Sequence, residues 1–370
     1  MLLSESFDVN NYDEVMELFY KKGWTDGLPV VPPTEEKVVK FLQYAKLEPG
    51  QIIGEVKERD RSITAEKVAI NAIMAGCKEE YMPVLVAAVE AICEPSFHFN
   101  HLASIGSPTP IMLISGPIVK ELQFNYGKWV MGPGARANGT IGRALSLILW
   151  NCAELRLDSV LGGTYGNPMR WTCCCIAENP DTPGWESLRE YLGFSPQSST
   201  VTVCSSWGGF TSTWAKKESA EDTLHNVSDI IATGGGNFGR GVYLVLVAPP
   251  QLERFVKQGW TRKDMRNWLF ENTGRTVAEL KKRGRWGFHS SVTNYGGAKE
   301  AINDSDHDTF VHLFKDNGKD IDQHLYDVSD VTREVDIYFI ATGGEVSSHI
   351  LTISTYSQAT SPVTKEIKRV

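Results

Sequence analysis

Short apolar runs that stop abruptly at Gly or Pro and give way to helical patterning constrain this chain more than any other feature. IMLIS (111–115) meets Gly116-Pro117 and then IVKEL; LVLVA (244–248) meets Pro249-Pro250 and then QLERF. A strand that is apolar at every position is buried on both faces, so helices must cover it. TCCCIAE (172–178), TVTVCSS (200–206), IYFIA (337–341) and HILTIST (349–355) repeat the strand pattern. Helical periodicity fills the intervals, with Thr34 and Thr64 as N-caps and Gly23 and Gly76 as stops. The expected fold is α/β, with mixed or mostly parallel sheets and flanking helices. Weak echoes, KKGWT (21–25) with KQGWT (257–261) and IIATGGG (230–236) with FIATGGE (339–345), suggest two related lobes. Chance recurrence of strand-turn-helix patterns explains them equally. The Pro-rich stretch at 180–200 sets a soft boundary between lobes 1–190 and 191–370.

Composition narrows the function. A net charge of −8 argues against a general nucleic-acid binder, which needs a basic face to displace counterions. No apolar run approaches the ~18 residues of a membrane span, and no signal-peptide pattern is visible, so a cytoplasmic protein with no membrane partner is expected. Seven cysteines without a CxxC pair fit a reducing compartment and give no zinc ribbon. Ten tryptophans and many apolar helices make a homo-oligomer plausible.

Chemistry concentrates in a few segments. GPGARANGTIGR (132–143) reads as a glycine-rich loop opening a helix near Thr140. Gly132 and Gly134 would let the backbone approach a ligand. Arg136 and Arg143 would clamp a carboxylate or phosphate, and Asn138 and Thr140 would add directional hydrogen bonds. The competing reading is a turn whose arginines cap nearby carbonyls. The pattern is neither a P-loop nor GxGxxG, so no nucleotide is assigned.

Cys77, between a helix end at Gly76 and an expected helix start at Lys78, is a candidate reactive thiol; packing as a small buried hydrophobe is the alternative. In a strand, Cys173 and Cys175 would share a face, with core packing the better reading than metal binding. His98 and His101, three apart, are candidates for proton transfer. Asp26, in WTDGLPVVPP, is either turn chemistry or a rigidly held base. Gly235 and Gly236, with Gly343-Gly344, could line the same cleft.

GWTDGLPVVPPT (23–34), AINAIMAGCKEEYMPVLVAAVEAI (69–92) and GPGARANGTIGRAL (132–145) resemble segments of a poorly characterised bacterial family. GWTRKDMRNWLFE (259–271) and IYFIATGGEVSSH (337–349) match more loosely. The resemblance associates the chain with partner proteins carrying a selenocysteine- or cysteine-Gly-Ser-Cys motif; CSSW at 204–207 is not that motif. It implies chemistry linked to a thiol or selenol. It places Asp26, Cys77, Arg136, Asn138 and Arg143 in the family's recognisable segments.

The resulting expectation is an enzyme acting on a small anionic metabolite by thiol-dependent C–S cleavage or reductive thiol chemistry. Cys77 would be the nucleophile or redox thiol, and His101, His98 and Asp26 the proton-transfer groups. A cofactor-independent lyase or hydrolase, and a non-catalytic ligand-binding subunit of a redox complex, are the alternatives. No cofactor and no metal is assigned.

Overall fold

A computed structural model describes residues 2–104, 106–156, 165–214, 219–233, 242–283, 307–314, 336–345, 349–356 and 360–369; of Trp214 it describes the backbone. In chain order the elements begin α1 (Tyr12–Lys22), α2 (Glu35–Ala45), β1 (Ile52–Val56), β2 (Arg61–Thr64), α3 (Ala65–Ala75) and α4 (Met82–Ile92). Next come β3 (Thr109–Ser115), α5 (Ile118–Glu121), α6 (Arg136–Cys152), β4 (Cys175–Ala177), α7 (Leu188–Tyr191) and β5 (Thr200–Trp214). Then follow α8 (Ala220–Thr233), β6 (Val242–Val247), α9 (Pro249–Lys257), α10 (Arg262–Asn272), β7 (Gly274–Thr276) and α11 (Val277–Lys282). The chain closes with β8 (Phe310–His312), β9 (Asp336–Ala341), β10 (His349–Thr355) and β11 (Val363–Glu366). The fold is α/β, with mixed parallel and antiparallel strands and flanking helices.

The chain divides into two compact units. The first comprises residues 1–180, 189–208 and 362–370, and the second 181–188 and 209–361.

In the first unit, β3 is buried along its whole length. It runs parallel to β4, with Met112 opposite Cys175, and antiparallel to β5, with Thr109 opposite Ser206. β11 adds to β5 antiparallel, Val363 facing Val203. Helices α3, α4 and α6 pack around one core that includes Met112, Ile114, Val201 and Val203. α4 is apolar nearly all round and is buried accordingly. Pro83 sits in its first turn, where a missing N–H costs nothing. Thr64 caps α3 by accepting from Lys67 N, and Gly76 ends it in the left-handed conformation.

The second unit is built on β6, parallel to β9 on one side and antiparallel to β10 on the other. Its core joins α8, α10 and α11 to these strands through Leu224, Leu269, Leu280 and Phe339. Arg262 is buried within it. The guanidinium donates to Phe339 O (2.7 Å) and Glu186 O (2.7 Å) and lies 5.0 Å from the Trp185 ring centroid. A buried guanidinium needs such a full set of acceptors.

Several local expectations change. The helix containing 132–143 starts at Arg136 rather than near Thr140, so Gly139 and Gly142 are helical and the loop shrinks to Gly132–Ala135. Cys173 has φ 37° and β4 begins only at Cys175, so the alternation expected across Cys173-Cys174-Cys175 does not form. The KKGWT and KQGWT echo has a local cause. Each ends a helix with a left-handed Gly (Gly23, φ 66°; Gly259, φ 80°). Each then sends the Trp N–H back to a Phe carbonyl, Trp24 to Phe19 and Trp260 to Phe255. Among the described residues no single helix is long and apolar enough to cross a membrane.

Candidate functional site

Three of the segments singled out in the sequence meet on α6. The turn 23–28 lies along one face of that helix. Arg143 donates through Nε to Asp26 Oδ2 (3.0 Å) and through Nη2 to Asp26 Oδ1 (2.9 Å). Two turns further on, Trp150 Nε1 donates to Gly23 O (2.8 Å) and Asn151 Nδ2 to Trp24 O (2.9 Å). Positions 143, 150 and 151 share a helical face because they are spaced i, i+7 and i+8. The turn itself is fixed by Thr25 Oγ1 donating to Leu28 O (2.6 Å), by Leu28 N donating to Asp26 Oδ1 (3.1 Å), and by Gly27 at φ 93°.

The pairing revises two assignments. The side chains of Asp26 and Arg143 are only 7% and 16% exposed and satisfy each other in a bidentate pair. Asp26 is therefore a structural carboxylate at rest, not a free base, and Arg143 is not an open fork for a ligand. Asn138 is likewise turned inward: its Oδ1 accepts from Asn125 N (2.9 Å), and its Nδ2 donates to Asn125 O (2.9 Å) and Cys175 O (3.2 Å).

At the head of α6, Arg136 donates through Nε to Gly76 O (3.0 Å) and through Nη2 to Cys77 O (3.4 Å), satisfying carbonyls at the end of α3. Its Nη1 has no acceptor among the described residues. Thr140 Oγ1 donates to Arg136 O (2.7 Å), within the helix, and its side chain stands beside Cys77, whose thiol it pulls down. Cys77 thus sits with Arg136 and Thr140, although 59 residues separate Cys77 from Arg136.

The expected thiolate does not follow. Cys77 N donates to Ala72 O, which makes Cys77 part of the C-terminal cap of α3, where the helix dipole disfavours an anion. Burial pushes the thiol up to about 12, outweighing Thr140 and Arg136, which pull it down. The other cysteines are also free thiols, and burial pushes Cys93, Cys152 and Cys174 to about 12 and Cys173 to about 11.

Gly132 packs against the Trp129 ring, and Gly134 adopts φ 117° with open space beyond it. The two histidines are paired with each other on the turns at 95–103, ring centroids 6.1 Å apart. Burial and then His98 lower the His101 imidazole below its usual value. Gly235 and Gly236 lie outside the described residues. Among the described residues no group of three or more His, Cys, Asp or Glu is placed to hold a metal ion.

One cluster escaped the sequence reading. At the carboxyl ends of the parallel pair β3 and β4, Ser115 Oγ donates to Glu178 Oε2 (2.5 Å), and Arg189 Nη1 donates to Ser115 Oγ (3.3 Å). Ser115 and Glu178 are both buried. The available signal was positional: each polar residue stands at or just past the end of an apolar strand, the end at which α/β sheets bind ligands.

No known protein family, no curated protein and no solved structure matches this chain.

Proposed function

We propose that this chain binds a small organic anion at the head of α6, and that it acts in a reducing, cytoplasmic setting as the ligand-binding part of a thiol or selenol redox system. The observation that carries the reading is the convergence of Arg136, Thr140 and Cys77 at the first turn of a 17-residue helix. Ala135, the N-cap residue, contributes no side-chain hydrogen bond, so the opening N–H groups are left to an external acceptor. Arg136 Nη1 adds a charged donor at the same place. The partner is a protein carrying a (seleno)cysteine motif, as the sequence resemblance suggests.

A specific observation favours binding over turnover as the leading role: Cys77 is buried in the C-terminal cap of α3, and that burial pushes its thiol up. Thiol-dependent catalysis on the same anion is the second reading, and it requires the bound substrate to withdraw the thiol proton. Calorimetric titration with inorganic phosphate and with acetate tests the binding. Millimolar or tighter binding by either, weakened at least tenfold in Arg136→Met, supports it; no heat with either anion sinks it. Ligand-dependent acceleration of Cys77 alkylation by iodoacetamide would move the second reading ahead of the first.

A further inference from the structure

A cavity lies at the other end of α6. It is a cleft of about 730 Å³, within the range of small-molecule sites. Trp24, Phe7 and Phe19 line it on one side and Met74 and Ile70 on another, while Asn151 from the last turn of α6 reaches it too. The aromatic residues form a cluster: Trp24 meets Phe7 at 5.6 Å and Phe19 at 5.5 Å between centroids, both edge-on. These rings already attract a cation, since Lys22 Nζ lies 5.1 Å from the Phe7 centroid and 5.7 Å from that of Trp24.

The charge on the cleft is one-sided. Glu5, Asp8, Glu35 and Glu66 line it against Lys67, with Lys22 standing over the Phe7 and Trp24 rings. Glu66 is occupied by the N–H groups of Leu3 and Ser4 (2.7 Å each), and Glu35 by Ser6 Oγ (2.6 Å). Lys67 is occupied by Ser4 Oγ (3.2 Å). Glu5 and Asp8 are exposed and make no hydrogen bond or ion pair among the described residues. Asn151 spends its Nδ2 on Trp24 O and on Asn71 Oδ1 (2.8 Å), and its buried Oδ1 has no donor. Aromatic walls and an excess of carboxylate both complement one chemical group, a positively charged ammonium on an apolar body.

We propose that this cleft is a binding site for a small organic amine, taken as its ammonium form with its hydrocarbon part against Trp24, Phe7 and Met74. The site is independent of the anion reading, since it uses neither Arg136 nor Cys77.

The test is calorimetric titration of the full chain with benzylamine, 4-methylphenol and toluene. Benzylamine is expected to bind at least tenfold more tightly than either neutral probe. That advantage should shrink severalfold in 1 M NaCl, because the acidic rim is solvent-exposed. Leu18→Trp, which fills the cleft from α1, should abolish binding. Glu5→Gln with Asp8→Asn, changed together on the exposed rim, should weaken benzylamine at least threefold without changing the melting temperature. The proposal is overturned if none of the three probes binds, if 4-methylphenol or toluene matches benzylamine, or if both variants bind benzylamine as the parent does.

Discussion

The two ends of α6 belong to one helix about 25 Å long, and they differ in the space beside them. At the head, Arg136, Asn138 and Arg143 are all turned onto the chain itself, onto Gly76 and Cys77, Asn125 and Cys175, and Asp26. At the tail, Asn151 is also bonded to the chain, at Trp24 and Asn71, but a large cleft opens beside it. The difference teaches that the most motif-like stretch of this sequence is largely architecture. The open space instead lies among residues that form no motif, on α1, α3 and the extended segment 2–9. A polar residue at a buried helix–loop junction must satisfy its own desolvated groups before it can serve a ligand.

The comparison breaks first at Arg143. Replacing it with Met strands the Asp26 carboxylate in a site where its side chain is 7% exposed, and should cost about 3–5 kcal/mol in urea unfolding. The double variant Asp26→Asn, Arg143→Met should recover much of that loss. A cost below about 1 kcal/mol for the single change would show the pair to be weak, like an exposed one.

Two glycines of the head sharpen the same point with opposite signs. A Cβ on Gly142 would overlap the Thr172 carbonyl oxygen, whereas one on Gly139 meets nothing. Gly142→Ala should therefore destabilise by about 2 kcal/mol or more despite the better helix propensity of Ala. Gly139→Ala should stabilise by about 0.5–1 kcal/mol. Thermal melts of the two variants decide it, and a shared sign would refute the close packing inferred at Gly142.

A third measurement addresses Cys77. Its thiol is higher in the folded chain than in the unfolded one, so its contribution is complete below about pH 9 and is lost as pH rises toward 12. The loss attributable to this thiol is about 1.4 kcal/mol per pH unit. Cys77→Ala should consequently lose less stability between pH 8 and pH 10 than the parent, by about 1 kcal/mol. Equal alkaline limbs would place the thiol in contact with solvent.

The smallest effect belongs to the tail. Burial raises the Glu66 carboxyl, but hydrogen bonds from Ser4 and Leu3, helped by Lys67, outweigh it and leave the group below its usual value. A lowered carboxyl contributes stability that is present above its unfolded value and lost as pH falls through the folded one. The protection of the Leu3 and Ser4 amides, corrected for intrinsic exchange, should therefore fall as the Glu66 carboxylate is protonated in acid and in Glu66→Gln, with the melting temperature nearly unchanged. Exchange that ignores both changes would detach segment 2–9 from Glu66.

Much of the architecture was legible because single residues carry it. Thr64, Gly76 and Gly23 mark helix ends by capping and left-handed geometry, and apolar runs such as IMLIS mark buried strands. The hairpin of β1 and β2 was not legible, since its burial pattern is mostly exposed and intermediate rather than alternating. Nor was β11, whose VTKE sequence becomes a strand by pairing with β5. At the site, positions 26, 77, 136 and 143 stood out in the sequence, but not what their side chains would be spent on. That depended on long-range pairing: Arg143 finds Asp26 across 117 residues, and no local pattern encodes it. Gly142, expected near a loop, misled for the same reason. Gly142 serves a helix–backbone approach from Thr172, and only a folded partner reveals it.

The placement of β11 has a consequence for how the protein is made. β5 holds β3 on one side through residues 200–206, but the partner for its other edge at 200–203 is not translated until residues 363–366. At about 5–20 residues per second, the roughly 150 intervening residues keep a ribosome occupied for about 8–30 s. During that interval the first unit carries an open strand edge, a template for pairing with another nascent chain. Yield in the cell should accordingly depend on whatever shields that edge, and a chain released before residue 362 should aggregate through β5 rather than simply unfold.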